Sequence, residues 1–315
     1  MRRVIARCQG NETARTQGPV MAPCAMRCDM WETSVAVPDL KGKQVLVTGA
    51  ASGIGRSTAL AFARQGASLI VSDISSAQLD GTAKAVRALG VPCRSYQVDV
   101  ADGAAMRNFA DAVHAAIGGV DVLVNNAGIG YLGPFLRSPL ESWRRVLDVN
   151  VMGVVHGCHY FGQRMVEAGG ARQIINVASL AGIAPAPNMS AYAASKHAVM
   201  GLCDVLAMEL TDTEVGVTAI CPGIINTPIT NAQDSVSEAI TDEQIGRLRS
   251  YYDANGVSPD VVAEAIVDAA RTGRPLVLVG PYARPLYHLK RISRRLVRSM
   301  TISDARKNGY LEAAK

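Results

Sequence analysis

The chain has no apolar run near the roughly 18 residues that a bilayer-spanning helix needs, so nothing in it reads as a transmembrane segment. Its seven cysteines, at 8, 24, 28, 93, 158, 203 and 221, are odd in number and follow no regular framework. That argues against a disulfide scaffold. Four of the seven lie in segments that read as core, so reduced thiols and a cytoplasmic setting are expected. No cluster has metal-ligand spacing: Cys24 and Cys28 lack a second ligand pair, and His156 and His159, three apart on an expected helix, lack a third ligand. The two histidines read as packing or interface residues. There is neither a repeat of fixed period nor a low-complexity linker. A formal net charge of +5 over 315 residues gives little support for a nucleic-acid partner. Arginines open the chain, but no apolar stretch of signal-peptide length follows, and Glu12, Asp29 and Glu32 weaken a transit-peptide reading. Residues 1–37 are expected to be a disordered extension.

What is present is alternation. From Lys43 onward short β-branched runs alternate with longer alanine-rich segments, the pattern of βα units on a parallel sheet. Seven runs read as strands: QVLVTG, SLIVSD, RSYQVDV, DVLVNNAG, QIINVAS, VGVTAICPG and LVLVG. The expected fold is a single doubly wound, Rossmann-type α/β domain over residues 38–280, its parallel sheet of about seven strands covered by helices on both faces. Residues 281–315 add a helical extension. In such a fold ligands bind beyond the carboxyl ends of the strands, which is where chemistry is sought.

The first strand ends in TGAASGIG, which places Gly49, Ser52, Gly53, Ile54 and Gly55 ahead of an alanine-rich helix. Glycines permit a tight turn, and the free amides and positive dipole of a helix N-terminus attract phosphate. Asp73 ends the second strand, at the distance expected of an acid that hydrogen-bonds the hydroxyls of an adenosine ribose. Its charge would repel a 2′-phosphate, which favours NAD over NADP; Arg56 is the nearby cation that keeps NADP possible. In SAYAASKHAV, Tyr192 precedes Lys196 by four residues, one turn along one helix face. A free tyrosine titrates near about 10, and a neighbouring cation favours the phenolate, so the pair is a candidate acid/base device.

Taken in order, TGxxxGIG at 48–55, Asp99 in VDV, NNAG at 125–128, Asn150 in LDVNVMG, Ser179, the YxxxK pair, and Pro222 with Gly223 resemble the short-chain dehydrogenase/reductase family. Ser179 precedes Tyr192 by 13 residues, as that family requires. The resemblance implies a catalytic set of Asn150, Ser179, Tyr192 and Lys196. Tyr192 would exchange a proton with substrate oxygen and Ser179 would polarise that oxygen. Lys196 would lower the tyrosine pKa and hold the nicotinamide ribose, while Asn150 would hold a water linking Lys196 to solvent. It further implies that Asp99 and Val100 contact the adenine. Asn126, Ala127 and Gly128 would support its adenosine side, and Pro222, Gly223 and Thr227 would bracket the nicotinamide. No metal is needed. The implied assembly is a homodimer or homotetramer.

Leu180, Ile183, Pro185, Met189 and Phe135 suggest an apolar pocket, hence a hydrophobic secondary alcohol or ketone as substrate. The polar stretch from Ile224 to about Gly256 is long enough to act as a lid. The alternatives are an NADPH-dependent ketoacyl reductase, which Asp73 disfavours, and a catalytically silent cofactor-sensing protein, which the complete set of four disfavours. Past the last strand, Leu289, Ile292, Leu296 and Met300 follow helical spacing among five basic residues, Lys290, Arg291, Arg294, Arg295 and Arg298. This basic amphipathic helix either docks its apolar stripe on protein or makes peripheral contact with an anionic membrane surface.

Overall fold

The computed structural model describes residues 35–227, 236–309 and 311. Most of the expected N-terminal extension lies outside them, but its last three residues already belong to the domain. Gln173 Nε2 donates to the Val35 carbonyl, Val37 N–H donates to Ala270 O at 2.9 Å, and Val37 is buried. Its apolar side chain draws the chain onto the core a few residues before the expected start.

Seven strands form one parallel sheet: β1 (Gln44–Thr48), β2 (Ser68–Asp73), β3 (Cys93–Gln97), β4 (Val122–Asn125), β5 (Arg172–Val177), β6 (Val215–Pro222) and β7 (Leu276–Val279). Their spatial order is β3-β2-β1-β4-β5-β6-β7. Val47 stands level with Val71 of β2 and Val124 of β4, so the turns after β1 and β4 meet at the sheet's carboxyl edge. The strand order reverses between β1 and β4, and a crevice opens at that switch point.

Parallel neighbours require crossovers, and helices supply them. These are α1 (Gly53–Arg64), α2 (Ser76–Ala88), α3 (Gly103–Ile117), α4 (Leu140–Leu147), α5 (Gly153–Ala168), α6 (Ser190–Glu209), α7 (Asp242–Asn255) and α8 (Pro259–Thr272). Alternate side chains of each strand face opposite layers. Val45 and Val47 pack with Phe62 of α1, Leu79 of α2 and Ile266 of α8, while Leu46 faces Met106 of α3 and Phe161 of α5. Both faces are covered, which explains why the inner strands read as nearly continuous apolar runs, whereas the edge strand β3, CRSYQ, does not.

The C-terminal extension is two helices rather than one, α9 (Ala283–Ile292) and α10 (Arg294–Lys307). Ser293 breaks the run: its backbone is extended and its hydroxyl accepts the Leu296 N–H, capping α10. The break turns the expected stripe out of register. Ala283, Val297 and Ala305 are the buried positions, whereas Ile292, Leu296 and Met300 stand exposed.

Candidate active site

The turn from β1 into α1 is held open by backbone geometry and clamped from β4. Gly49 has φ +64°, and a Cβ there would lie 2.7 Å from the Ala127 Cα, so only glycine fits. Asn126 donates through Nδ2 to the carbonyls of Thr48 and Gly49 at 2.9 and 3.1 Å. Thr48 Oγ1 accepts the backbone N–H of Asn126 and of Ala127. Asn125, its neighbour, points into the core instead, donating to Asn176 Oδ1 at 2.8 Å, with the Cys158 thiol 3.4 Å away. Burial pushes the Cys158 thiol up to about 12 and that of Cys203, beside Asn176, up to about 11. Both are neutral packing groups.

At the end of β2 the Asp73 carboxylate accepts the N–H of Ala51 and of Ser75, each at 3.0 Å, which fixes it at the rim of the crevice. Arg56 is exposed and does not line that crevice. Asp99 accepts the Ala101 N–H at 2.9 Å, and His156 Nδ1 lies 2.9 Å from the Val100 carbonyl. His156 thus steadies the loop after β3.

Ser179 follows β5 and caps the single 3₁₀ turn Leu180–Gly182, its hydroxyl accepting the Ala181 N–H at 3.1 Å and also hydrogen-bonding the Tyr192 phenol. Tyr192 lies in the first turn of α6, and Lys196 lies one turn further on. The Lys196 side chain is only 4% exposed. Its Nζ donates to the Val177 carbonyl at 2.8 Å and lies 5.8 Å from the Tyr192 ring centroid. Burial disfavours the ammonium and lowers its pKa to about 8.

For the phenol the structure reverses the expected sign. Burial raises the Tyr192 pKa above its ordinary value, and only the Ser179 hydrogen bond opposes that rise. Lys196 points at the Val177 carbonyl rather than at the phenol oxygen, so desolvation of the phenolate wins. A second phenol, Tyr252 of α7, shares the cavity; burial, and next the proximity of Tyr192, push it up to about 12.

Asn150 is fully buried in a π-helical turn, Asp148–Met152, between α4 and α5. Its Oδ1 accepts the Ile129 N–H at 2.8 Å. Both amide hydrogens are committed, to the Ile129 carbonyl at 2.9 Å and to Ser195 Oγ at 3.0 Å. Ser195 in turn donates to the Tyr192 carbonyl at 2.7 Å. Asn150 therefore sits behind the cavity wall and braces the loop after β4 against the helix that carries Tyr192. The sequence reading missed Ser195 and Ile129. Only the position of Ser195, beside Lys196, was a signal.

All the remaining expected site residues line one continuous cavity of about 1070 Å³. It runs from Gly49, Ser52, Gly53, Ile54, Gly55 and Asp73, past Asp99, Val100, Asn126, Ala127 and Gly128, to Ser179, Tyr192 and Lys196. Pro222, at the end of β6, and Gly223 and Thr227 in the segment after it also border the cavity. These residues fit an adenine dinucleotide: a helix N-terminus, a fixed carboxylate and an ammonium face one elongated space. A Cβ on Gly128 would reach to 3.5 Å from Lys196 Nζ and narrow it there.

The substrate side differs in part from expectation. Leu180 and Met189 line the cavity, but Ile183 is in the core and Pro185 is not on the wall. Phe135 is 62% exposed and packs edge-on against Trp143 at 5.6 Å. In their place come Ile245, Leu248 and Tyr252 of α7 and Leu286, Leu289 and Met300 of the C-terminal helices. The expected lid falls partly outside the described residues, at 228–235. Its described part supplies α7, which begins with a capping box between Thr241 and Gln244. No group of three or more possible metal ligands occurs among the described residues.

A family profile described as short chain dehydrogenase matches residues 43–237. The chain is 44% identical over 259 residues to "Probable oxidoreductase EphD" of Mycobacterium tuberculosis, covering 81% of this chain but only 44% of that protein. This chain thus spans less than half the length of that relative. It is 35% identical over 243 residues to cyclohexanol dehydrogenase of Acinetobacter sp., covering 76% of this chain and 94% of the relative. A 3β-hydroxysteroid dehydrogenase of Eggerthella lenta is 38% identical over 218 residues, covering 66% of this chain and 80% of the relative. Among solved structures, one from Burkholderia phymatum in complex with NAD superposes with a TM-score of 0.76 at 33% identity, covering 82% of this chain and 96% of the other. A metagenomic oxidoreductase in complex with NADP gives 0.64 at 29%, covering 77% and 99%.

Proposed function

Because the chain belongs to the short-chain dehydrogenase/reductase family, we propose that it interconverts a hydrophobic secondary alcohol and its ketone with NAD, using Tyr192 as the acid/base group. The observation that carries this reading is the convergence of Ser179, Tyr192 and Lys196 on the same cavity as the α1 N-terminus and Asp73. When bound, the nicotinamide cofactor supplies or accepts the hydride.

The chain's own residues do the rest. In reduction the Tyr192 phenol gives its proton to the carbonyl oxygen as the carbon becomes an alcohol, and in oxidation the phenolate takes that proton back. The Ser179 hydroxyl donates to the same oxygen and stabilises the charge that develops on it. Lys196 supplies positive charge near the phenol ring and a donor for a ribose hydroxyl, and Asn150 keeps the Tyr192 helix in register with the loop after β4. The α1 N-terminus suits the pyrophosphate, Asp73 the adenosine ribose, Asp99 and Val100 the adenine, and Pro222, Gly223 and Thr227 the nicotinamide side.

The assignment of NAD rests on Asp73, whose carboxylate would face a 2′-phosphate with like charge, while Arg56 is exposed and does not line the cavity. The substrate class rests on the apolar part of the walls: Leu180, Met189, Leu248, Leu286, Leu289 and Met300 offer apolar contact, although Arg144, Arg145, Arg249 and Tyr252 also line the cavity. Relatives named for cyclohexanol and for a 3β-hydroxysteroid agree with that class. The test is a panel of cyclic, steroidal and aliphatic secondary alcohols followed by nicotinamide absorbance, with either cofactor. Turnover of apolar ring alcohols with NAD is expected. Preference for NADP, or turnover confined to acyl thioester substrates, would overturn the reading.

A further inference from the structure

The wall that α9 and α10 give to the cavity has an outer side whose chemistry the reaction does not use. Residues 283–307 contain eight basic side chains and a single acid, Asp304. Arg291, Arg294, Arg295 and Arg298 are all exposed. Among them stand apolar side chains that water should not face: Ile292 is 83% exposed, Leu296 47% and Met300 48%. Met300 also lines the cavity, together with Leu286 and Leu289. Met300 thus belongs both to this exposed apolar set, which is divided between the end of α9 and the first half of α10, and to the cavity wall, so the set reaches the edge of the substrate space.

A second copy of the chain is a poor occupant for this face. A two-fold interface would set the arginines of one helix pair against those of the other. Nucleic acid would satisfy the arginines and leave Ile292, Leu296 and Met300 in water. An interface of anionic headgroups over acyl chains satisfies both kinds of side chain at once. No helix among the described residues is long and apolar enough to cross a membrane, so contact of this kind lies in the plane of the surface.

We propose that α9 and α10 form a docking surface for an anionic phospholipid bilayer, seating Ile292, Leu296 and Met300 in the headgroup layer beside the cavity. Its functional consequence rests on the alcohol-dehydrogenase reading above: a lipid-dissolved alcohol enters the site from the membrane rather than from water.

The experiment is flotation of the full chain with vesicles of neutral phosphatidylcholine, and with vesicles holding about 30 mol% phosphatidylglycerol. The chain should float with the anionic vesicles only, and raising salt from about 0.1 M to about 1 M, which shortens the screening length from ~10 to ~3 Å, should release it. Each basic residue near such a surface is worth about five-fold in partition, so the Arg295→Glu/Arg298→Glu variant should lose several-hundred-fold. Ile292→Asp/Leu296→Asp should also fail to float while unfolding at the wild-type temperature. None of the four lines the main cavity, so turnover of a water-soluble alcohol should persist. Absence of flotation, or flotation equal in the variants, would overturn the proposal. So would tighter retention on duplex DNA than on vesicles, or an oligomer that the aspartate variant splits in light scattering. A chain that floats but turns over no alcohol defeats the functional reading and leaves the surface standing.

Discussion

Lys196 is an ammonium placed in a buried, poorly solvated position, and its hydrogen bond to the Val177 carbonyl does not offset that. Its pKa in the folded chain, about 8, is below the ordinary value of 10.5, so the unfolded chain holds more protons between those limits. Stability therefore rises with pH across that window, and the penalty, roughly 3 kcal/mol from the size of the shift, is fully present below about pH 8. We predict that the stability of Lys196→Met relative to wild type is highest near pH 7 and declines steadily towards pH 10.5. A difference that is flat with pH would mean that the ammonium is not desolvated. At Asp73 the prediction concerns cofactor choice. Asp73→Ala should move kcat/KM towards NADP by at least about ten-fold relative to NAD, a change of ~1.4 kcal/mol. It should also lower stability, since the Ala51 and Ser75 N–H groups lose their acceptor. No movement towards NADP would remove Asp73 from the ribose site. The positions of Tyr192, Lys196 and Asp73 were legible in the sequence because spacing brings them to a strand end or to one helix face, whereas Ser179 was picked out only by the resemblance to the family. The sign of the tyrosine shift was not, because it depends on the depth of burial and on where the lysine points.

Among elements, the strands were the easiest to read: seven runs became seven strands, the inner ones because a strand covered on both faces has few polar positions to obscure it, while the edge strand β3, CRSYQ, is polar and partly exposed. The π-helical turn Asp148–Met152 was invisible in LDVNVMG, because its cause is tertiary: Asn150 must reach both Ile129 and Ser195. We predict that Asn150→Ala, which leaves the half-buried N–H and carbonyl of Ile129 without their partner, lowers stability by about 1 to 3 kcal/mol. It should lower kcat more than it raises the KM for the cofactor, because Asn150 does not line the cavity. Denaturant melts and steady-state kinetics read both quantities, and a wild-type melt would contradict the bracing role. The C-terminal segment misled for a comparable reason. The helical spacing from Leu289 to Met300 is real, but Ser293 takes the Leu296 N–H and starts a second helix, so a stripe continuous in sequence is divided in space.

For the whole molecule, one cavity joins the dinucleotide cradle to an apolar chamber that α7, α9 and α10 complete. Met152 and Val166 around α5 and Val205 and Met208 on α6 are exposed apolar side chains, the candidate face for the homodimer or homotetramer that the family resemblance implies. Val205→Glu/Met208→Glu should reduce the particle mass seen by light scattering, and an unchanged mass would place any interface elsewhere. What unites the cavity is the claim that a proton passes between Tyr192 and substrate oxygen at its centre. The most direct test is kcat for an apolar secondary alcohol with NAD in wild type and in Tyr192→Phe, together with NAD affinity by titration. The account predicts that kcat falls by more than about 10²-fold, the lower range for general acid/base catalysis, while NAD affinity changes less than about three-fold. A phenylalanine variant that keeps turnover within about ten-fold of wild type would contradict it.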